Sequence, residues 1–228
     1  MGKASKARRL YVGDLHGCLA ELDGLLKDFG FRPGVDSLFS VGDIIGKGPD
    51  VIGTLERLKK LGAGVVVGNH DDSLLEAARE ERAGREPKHR DYLDSLGARK
   101  AEWIDWIAAW PLFLESPDIL LVHAGLEPGQ KHPGDMSPRI LMQIRTWDGE
   151  GKNLNRAGDP AWYETIPPLP GKTVVFGHWA QRGLIDLPGF KGLDTGCVYG
   201  GKLTGWCPEE DRFLQVTAKR AYAPIHLH

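Results

Sequence analysis

The chain has 228 residues, of which 41% are hydrophobic and 26% charged, with a formal net charge of -2 and a pI near 6.4. This composition is typical of a globular protein with a sizeable core, and the charge gives no sign of an extended nucleic-acid surface. No apolar run approaches the length of a membrane span, and the basic start lacks the apolar stretch of a signal peptide. We therefore expect a cytoplasmic protein with no membrane partner.

Short apolar runs that end in glycine-bearing turns alternate with helical patterns along the chain. The runs predict strands over 10–12, 38–41, 65–67, 119–122, 173–176 and 191–193, and a closing hairpin over 202–217. Helices are predicted over 19–29 and 51–58, from about residue 72, and over about 79–110. This alternation predicts an α/β protein. We expect one domain over 10–217, a flexible basic N-terminus over 1–9 and a C-terminal tail over 218–228.

Polar side chains follow five of these apolar runs, each beside a glycine: Asp14 and His16, Asp43, Asn69 and His70, His123, and His178. In α/β sheets, ligands bind outside the carboxyl ends of the strands, so these groups are expected to share one crevice. Carboxylate and imidazole suit divalent first-row metals, and an amide oxygen adds a neutral ligand. Each motif alone is most often a turn. All five together predict a two-metal site that activates water against phosphorus.

The five motifs resemble those of metallophosphoesterases of the phosphoprotein phosphatase family. The family pattern appears at 13–17, 42–48, 68–71, 123–125 and 177–178. Within the family, the chain is most similar to the symmetrical bis(5'-nucleosyl)-tetraphosphatases (diadenosine tetraphosphatases) and their relatives. The features that carry this likeness lie at 46–49, Asp71, 176–179, 193–197 and 200–204. The resemblance covers about 10–217 and implies the calcineurin-like fold, a central β-sandwich flanked by helices.

The resemblance also implies roles for individual residues. One divalent metal would be held by Asp14, His16 and Asp43, and a second by Asp43, Asn69, His123 and His178, with Asp43 bridging. His70 would be the general acid that protonates the leaving oxygen. Arg145 and Lys47 would bind phosphate, and Tyr199 either lines the pocket or packs in the core. The mixed oxygen and nitrogen donors favour Mn, Fe or Zn for the two ions.

Two departures from the family pattern affect these expectations. Gly46 stands where protein phosphatases carry the Asp that orients the catalytic histidine, so the partner of His70 is left open. Lys47 stands where most members carry Arg; it keeps the charge but cannot hold phosphate in a bidentate manner.

The expected reaction is hydrolysis of a dinucleoside tetraphosphate, such as diadenosine tetraphosphate to two ADP, through attack by a metal-bound hydroxide. The alternatives are a broad-specificity or Ser/Thr protein phosphatase, a polyphosphatase, an RNA cap hydrolase, or a metal-bearing scaffold without turnover. The basic run 79–90 is either a solvated segment or a lid over a polyphosphate.

The three cysteines are Cys18, Cys197 and Cys207. Their odd number and the lack of a C-x-x-C motif argue against a disulfide framework and a Cys-rich zinc site. Cys18 is expected to be a small buried hydrophobe, although its place after the first motif leaves open a position near the metals.

Overall fold

Two five-stranded β-sheets form the centre of the computed structural model, which describes residues 6–224. The strands are β1 (Arg9–Val12), β2 (Ser37–Ser40), β3 (Gly64–Val65), β4 (Phe113–Glu115), β5 (Ile119–Val122), β6 (Thr173–Phe176), β7 (Ile185–Leu187), β8 (Phe190–Gly192), β9 (Lys202–Cys207) and β10 (Arg212–Thr217). The α-helices are α1 (Leu19–Phe29), α2 (Val51–Leu61), α3 (Asn69–Arg82), α4 (Arg90–Asp94), α5 (Lys100–Ala108) and α6 (Pro138–Gln143).

The sheets are mixed, with parallel strands at their centres. The first has the order β10-β9-β1-β2-β3, in which β1, β2 and β3 are parallel and β9 runs antiparallel to β1. The second has the order β4-β5-β6-β8-β7, with antiparallel strands at both edges. Parallel strands joined by helices bring their carboxyl ends to one edge, where the polar motifs follow.

The sheets pack face to face because alternate side chains of each strand point to opposite faces. Tyr11 of β1, Leu121 of β5 and Val175 of β6 belong to one buried cluster between the sheets. Leu10 and Val12 point the other way and pack with α1 and α2. A third cluster covers the outer face of the second sheet around Trp162. The predicted β-sandwich flanked by helices is confirmed.

Helix α3 begins earlier than the sequence predicted, at Asn69 rather than near residue 72. The reason is local: Gly68 is extended, and the Asp71 carboxylate accepts the Gly68 N–H at 3.0 Å, which caps the first turn. The predicted strand 65–67 is correspondingly short, ending at Val65. Asn69 and His70 therefore project from a helix start.

Part of the segment 79–110, which the sequence predicts to be helical, is not helical in the structure. The chain leaves α3 through a turn at Gly84, whose φ of 70° is in the left-handed region, and resumes in α4 and α5. Strands β4 and β7 and helix α6 were not predicted, because each is at most six residues long and carries a weak periodic signal.

Structured residues extend slightly beyond both ends of the predicted domain 10–217. β1 begins at Arg9, and Arg8 pairs with Asp36 at 3.0 Å. Within the predicted tail, Tyr222 donates a hydrogen bond to Glu21 at 2.7 Å. The rest of the predicted N-terminal and C-terminal segments, 1–5 and 225–228, lies outside the described residues, and the domain division stays a prediction. Between residues 6 and 224, no helix is long and apolar enough to span a membrane.

Candidate active site

Strand ends from both sheets meet at one cavity of about 450 Å³. The first sheet contributes Asp14 after β1 and Asp43 after β2, and α3 begins after β3 with Asn69; the second sheet contributes His123 after β5 and His178 after β6. The predicted site residues that line the cavity are Asp14, His16, Asp43, Lys47, Asn69, His70, Arg145, His178 and Tyr199. His123 is fully buried, with Nε2 3.0 Å from Oδ1 of Asn69.

The carboxylate of Asp43 lies at the centre of the predicted ligands. Its Oδ2 is 3.6 Å from Nε2 of His16, and its Oδ1 is 3.6 Å from Nε2 of His123. Its Oδ1 also accepts the backbone N–H of His70 at 2.9 Å. Because the two oxygens face different histidines, the carboxylate is placed to bridge two cations.

Backbone carbonyls orient two of the histidines. Nδ1 of His16 lies 3.0 Å from the Ile45 carbonyl, and Nδ1 of His123 lies 2.7 Å from the Val41 carbonyl. A carbonyl only accepts hydrogen bonds, so each Nδ1 carries the proton and each Nε2 presents a lone pair towards Asp43. In His178 the inner nitrogen is Nδ1, 2.9 Å from Oδ1 of Asn69.

The protonation states that burial favours fit a cation site. Burial lowers the pKa of His16 to about 3 and that of His178 well below its usual value, so both imidazoles are neutral. Burial, then the charges of Asp194 and Asp43, raise the pKa of Asp14. A divalent cation would relieve the repulsion among these three carboxylates. Asp14, Asp43 and His123 each offer a donor within 4.8 Å of the others, so the donor set fits divalent metals.

Backbone conformation is unusual at this site. Among residues 6–224, five residues other than glycine have positive φ, and four are the site residues His16, Asp43, Lys47 and His178. The left-handed region is unfavourable for such residues, so the surrounding contacts must hold these turns. One such contact is the His178 N–H, which donates to Asp14 Oδ1 at 3.1 Å.

Asp71 holds the loop that carries Asp43, a role that sequence reasoning missed. Its Oδ2 accepts the N–H of Asp43 at 2.9 Å, and its Oδ1 accepts those of Ile44 at 3.0 Å and Ile45 at 3.1 Å. Burial and the Asp43 charge raise the pKa of Asp71, while the backbone donors favour its ionised form. In the sequence, Asp71 stands out only as one of the features that carry the likeness to the symmetrical tetraphosphatases.

His70 lies between two side chains at the cavity wall. Nζ of Lys47 is 2.9 Å from its Nε2, and the Tyr92 hydroxyl is 2.6 Å from its Nδ1. Since ammonium only donates, Nε2 is the acceptor and Nδ1 carries the ring proton. Lys47 also donates to the Tyr199 hydroxyl at 2.6 Å. Burial lowers the pKa of His70, Asp43 opposes this, and Lys47 adds to it.

Arg145 is half-buried at the cavity, in the field of Asp194, Asp14 and Asp43. Burial lowers its pKa, and no carboxylate among the described residues forms an ion pair with it. Its guanidinium is therefore available to an anion. Asp194, which sequence reasoning gave no role, also lines the cavity, and burial raises its pKa to about 6.

The basic run 79–90 contributes no residue to the cavity lining. Arg90 pairs with Glu81 at 2.7 Å, and Arg82 lies 3.8 Å from Asp105. These contacts favour the interpretation as a solvated segment over a lid.

Three comparisons with known proteins agree with this geometry. The family model for calcineurin-like phosphoesterases matches residues 7–194. The chain is 30% identical to a symmetrical bis(5'-nucleosyl)-tetraphosphatase of Shewanella oneidensis, over 92% of this chain and 97% of the relative. It is 32% identical to one of Vibrio parahaemolyticus, over 85% and 92%. A crystal structure provisionally assigned as a diadenosine tetraphosphatase superposes with a TM-score of 0.79 at 30% identity, covering 95% of this chain and 96% of that one.

Proposed function

The chain belongs to the calcineurin-like phosphoesterase family, and on this premise we propose that it hydrolyses dinucleoside tetraphosphates symmetrically, diadenosine tetraphosphate giving two ADP. The observation that carries the proposal is the convergence of six metal-type donors from both sheets on one cavity. The relatives named for this activity match at 30% identity or more over most of the chain, which supports this choice of substrate.

The family acts with divalent metals, and the donors present here would hold two ions. Asp14, His16 and Asp43 would bind one, and Asp43, Asn69, His123 and His178 the other. When bound, such ions act as Lewis acids that activate water and polarise phosphate. We infer Mn, Fe or Zn, because mixed carboxylate and imidazole donors suit these metals better than Mg or Ca.

In the reaction, water adds to one inner phosphorus and the bond to the bridging oxygen breaks. One ADP departs with the bridging oxygen, which takes a proton from His70, and the other ADP keeps the oxygen of water, whose proton passes to solvent. In the free site Nε2 of His70 accepts from Lys47, so Lys47 must turn away before Nε2 can carry that proton. The polyphosphate supplies the alternative partner for the ammonium. Arg145 binds further phosphate oxygens with its fork of donors, and Tyr199 orients Lys47.

The decisive experiment is product analysis with diadenosine tetraphosphate and added manganese in ¹⁸O-labelled water. The proposal expects ADP as the product, with the label in one of every two molecules. AMP and ATP would refute symmetric cleavage. Hydrolysis of a phosphopeptide without cleavage of the dinucleotide would favour a protein phosphatase. Asp43→Asn is the matched inactive control, because it keeps the shape of the side chain.

A further inference from the structure

A second cluster of metal-type donors lies outside the cavity lining, in residues that the phosphohydrolase chemistry does not use. Cys18 precedes α1, Glu21 lies in its first turn, and Cys197 lies in the loop between β8 and β9. Their exposures are 0%, 1% and 2%, so all three are closed off from solvent. One donor atom from each lies within 4.8 Å of the other two.

Glu21 is incompletely satisfied for a buried carboxylate. Its Oε1 accepts the Tyr222 hydroxyl at 2.7 Å and the Lys219 N–H at 3.2 Å. Its Oε2 is buried and has no hydrogen-bond partner in the part of the chain that the structure describes. An unpaired charged oxygen inside a protein is costly, and Tyr222 fixes the carboxylate in this orientation. The arrangement points to a ligand at Oε2.

The two thiols supply the other donors. Both thiols are buried, and a thiol that coordinates a metal loses its proton. Two thiolates and a carboxylate carry one negative charge in excess of a divalent ion, and the N-terminal end of α1 favours that charge.

We propose that Cys18, Glu21 and Cys197 bind one structural zinc ion, distinct from the phosphohydrolase ions. Sulfur and carboxylate donors in a closed site match structural zinc, whereas the donors predicted for the active site are nitrogen and oxygen only. Three protein donors leave the fourth tetrahedral position to a water molecule enclosed with the ion. The ion ties the start of α1, just after the loop of Asp14 and His16, to the loop that carries Asp194 and Tyr199. The sequence did not indicate this site, because its donors are distant in sequence and form no C-x-x-C motif.

The test uses cobalt as a spectroscopic probe, because Co²⁺ bound by thiolates shows strong sulfur-to-metal absorption in the near ultraviolet. The full chain, purified under reducing conditions without chelator, is exchanged with Co²⁺ and its spectrum recorded. The proposal expects this absorption in the wild type and in Cys207→Ser, and its loss in Cys197→Ser. Cys207 is the matched control: it is equally buried but lies outside the cluster, with Sγ 3.6 Å from Glu209. The N and O donors of the active site give no such band.

Elemental analysis before exchange gives the second readout. We expect one equivalent of zinc fewer in Cys197→Ser than in Cys207→Ser, and release of that zinc from the wild type on titration with a mercurial. If Cys197→Ser does not fold, the wild-type spectrum and titration still decide. A wild-type cobalt spectrum without thiolate absorption overturns the proposal. So does an intact mass two hydrogens too light, which would show a Cys18–Cys197 disulfide. None of these readouts depends on phosphohydrolase activity.

Discussion

The hydroxyl of Tyr92 lies 2.6 Å from Nδ1 of His70, on the side of the ring opposite Lys47. Gly46 makes this contact possible: a Cβ at Gly46 would lie 2.9 Å from Cε1 of the Tyr92 ring. Protein phosphatases carry an Asp at position 46, and a side chain there would collide with the Tyr92 ring. We infer that Tyr92 orients His70 by accepting its Nδ1 proton.

Replacing Tyr92 by Phe tests this inference, because it keeps the ring and removes only the oxygen. Losing one orienting hydrogen bond of about 1.4 kcal/mol in the transition state lowers kcat about tenfold, with KM little changed. The loss should shrink for an aryl phosphate, whose acidic leaving group needs no proton. Steady-state kinetics with both substrates are the measurement. An equal loss on both would assign Tyr92 a structural role instead.

Gly46→Ala should disturb the same contact from the other side. The new Cβ displaces the Tyr92 ring, and the φ of 82° at Gly46 is unfavourable for alanine. We expect kcat to fall about tenfold and stability to fall by about 1–2 kcal/mol. Gly30→Ala is the matched control, since its φ is 63° but nothing lies within 4 Å of a Cβ there. Urea unfolding should show a similar stability loss in the control, with kcat intact.

His70→Asn removes the proposed proton donor while leaving the metal-type donors in place. The rate with diadenosine tetraphosphate should fall roughly 10²–10⁴-fold, the range of general acid catalysis. Metal content, measured by elemental analysis, should equal that of the wild type. A variant that lost metal would instead identify His70 as a ligand.

Metal removal should lower thermal stability, since the donors come from both sheets. An ion present at about 100 times its dissociation constant contributes about 2.7 kcal/mol, which corresponds to about 5–10 °C in Tm for a chain of this size. Scanning calorimetry with and without chelator measures the shift. The shift should be smaller in Asp43→Asn, and an equal shift in both proteins would contradict the bridging role.

Asp36, which does not line the active-site cavity, leads to a prediction about the stability of the fold at acid pH. Hydrogen bonds from Arg32, and then from Arg8, hold its pKa below the usual range despite its burial. The ionised form is thus stabilised in the folded protein, so its contribution is present above about pH 4 and is lost as pH falls through the folded pKa.

Asp36→Asn should therefore be about 2 kcal/mol less stable than the wild type at pH 7, and this gap should close at acid pH. Denaturant unfolding at several pH values measures it. Glu86→Gln, whose partner is Arg90 and whose side chain is 82% exposed, should change little at any pH. A gap for Asp36→Asn that stays constant with pH would refute the assignment.

The central strands and the candidate ligands were predictable from the sequence because both have local signals, whereas the β-sandwich was implied by the resemblance to the family. Buried strands such as Ile119–Val122 are continuous apolar runs, and His123 follows one directly. Tyr92 has no such signal: it lies in a charged segment, and its contact with His70 depends on how α4 packs against α3. The hydrogen bonds of Asp71 have no local signal either, because its carboxylate accepts from backbone N–H groups 26–28 positions away.

The pairing of Tyr11 in β1 with Trp206 in β9 has a consequence for synthesis on the ribosome. β1 lies in the interior of its sheet, so the nascent chain carries an open strand edge until β9 has emerged. At about 5–20 residues per second, that interval lasts about 10–40 s. During it, Asp14, Asp43 and Asn69 are already outside, while His123 and His178 arrive late. The donors from the second sheet therefore join the first only when most of the chain has been made, so the full donor set for two ions is complete only late in synthesis.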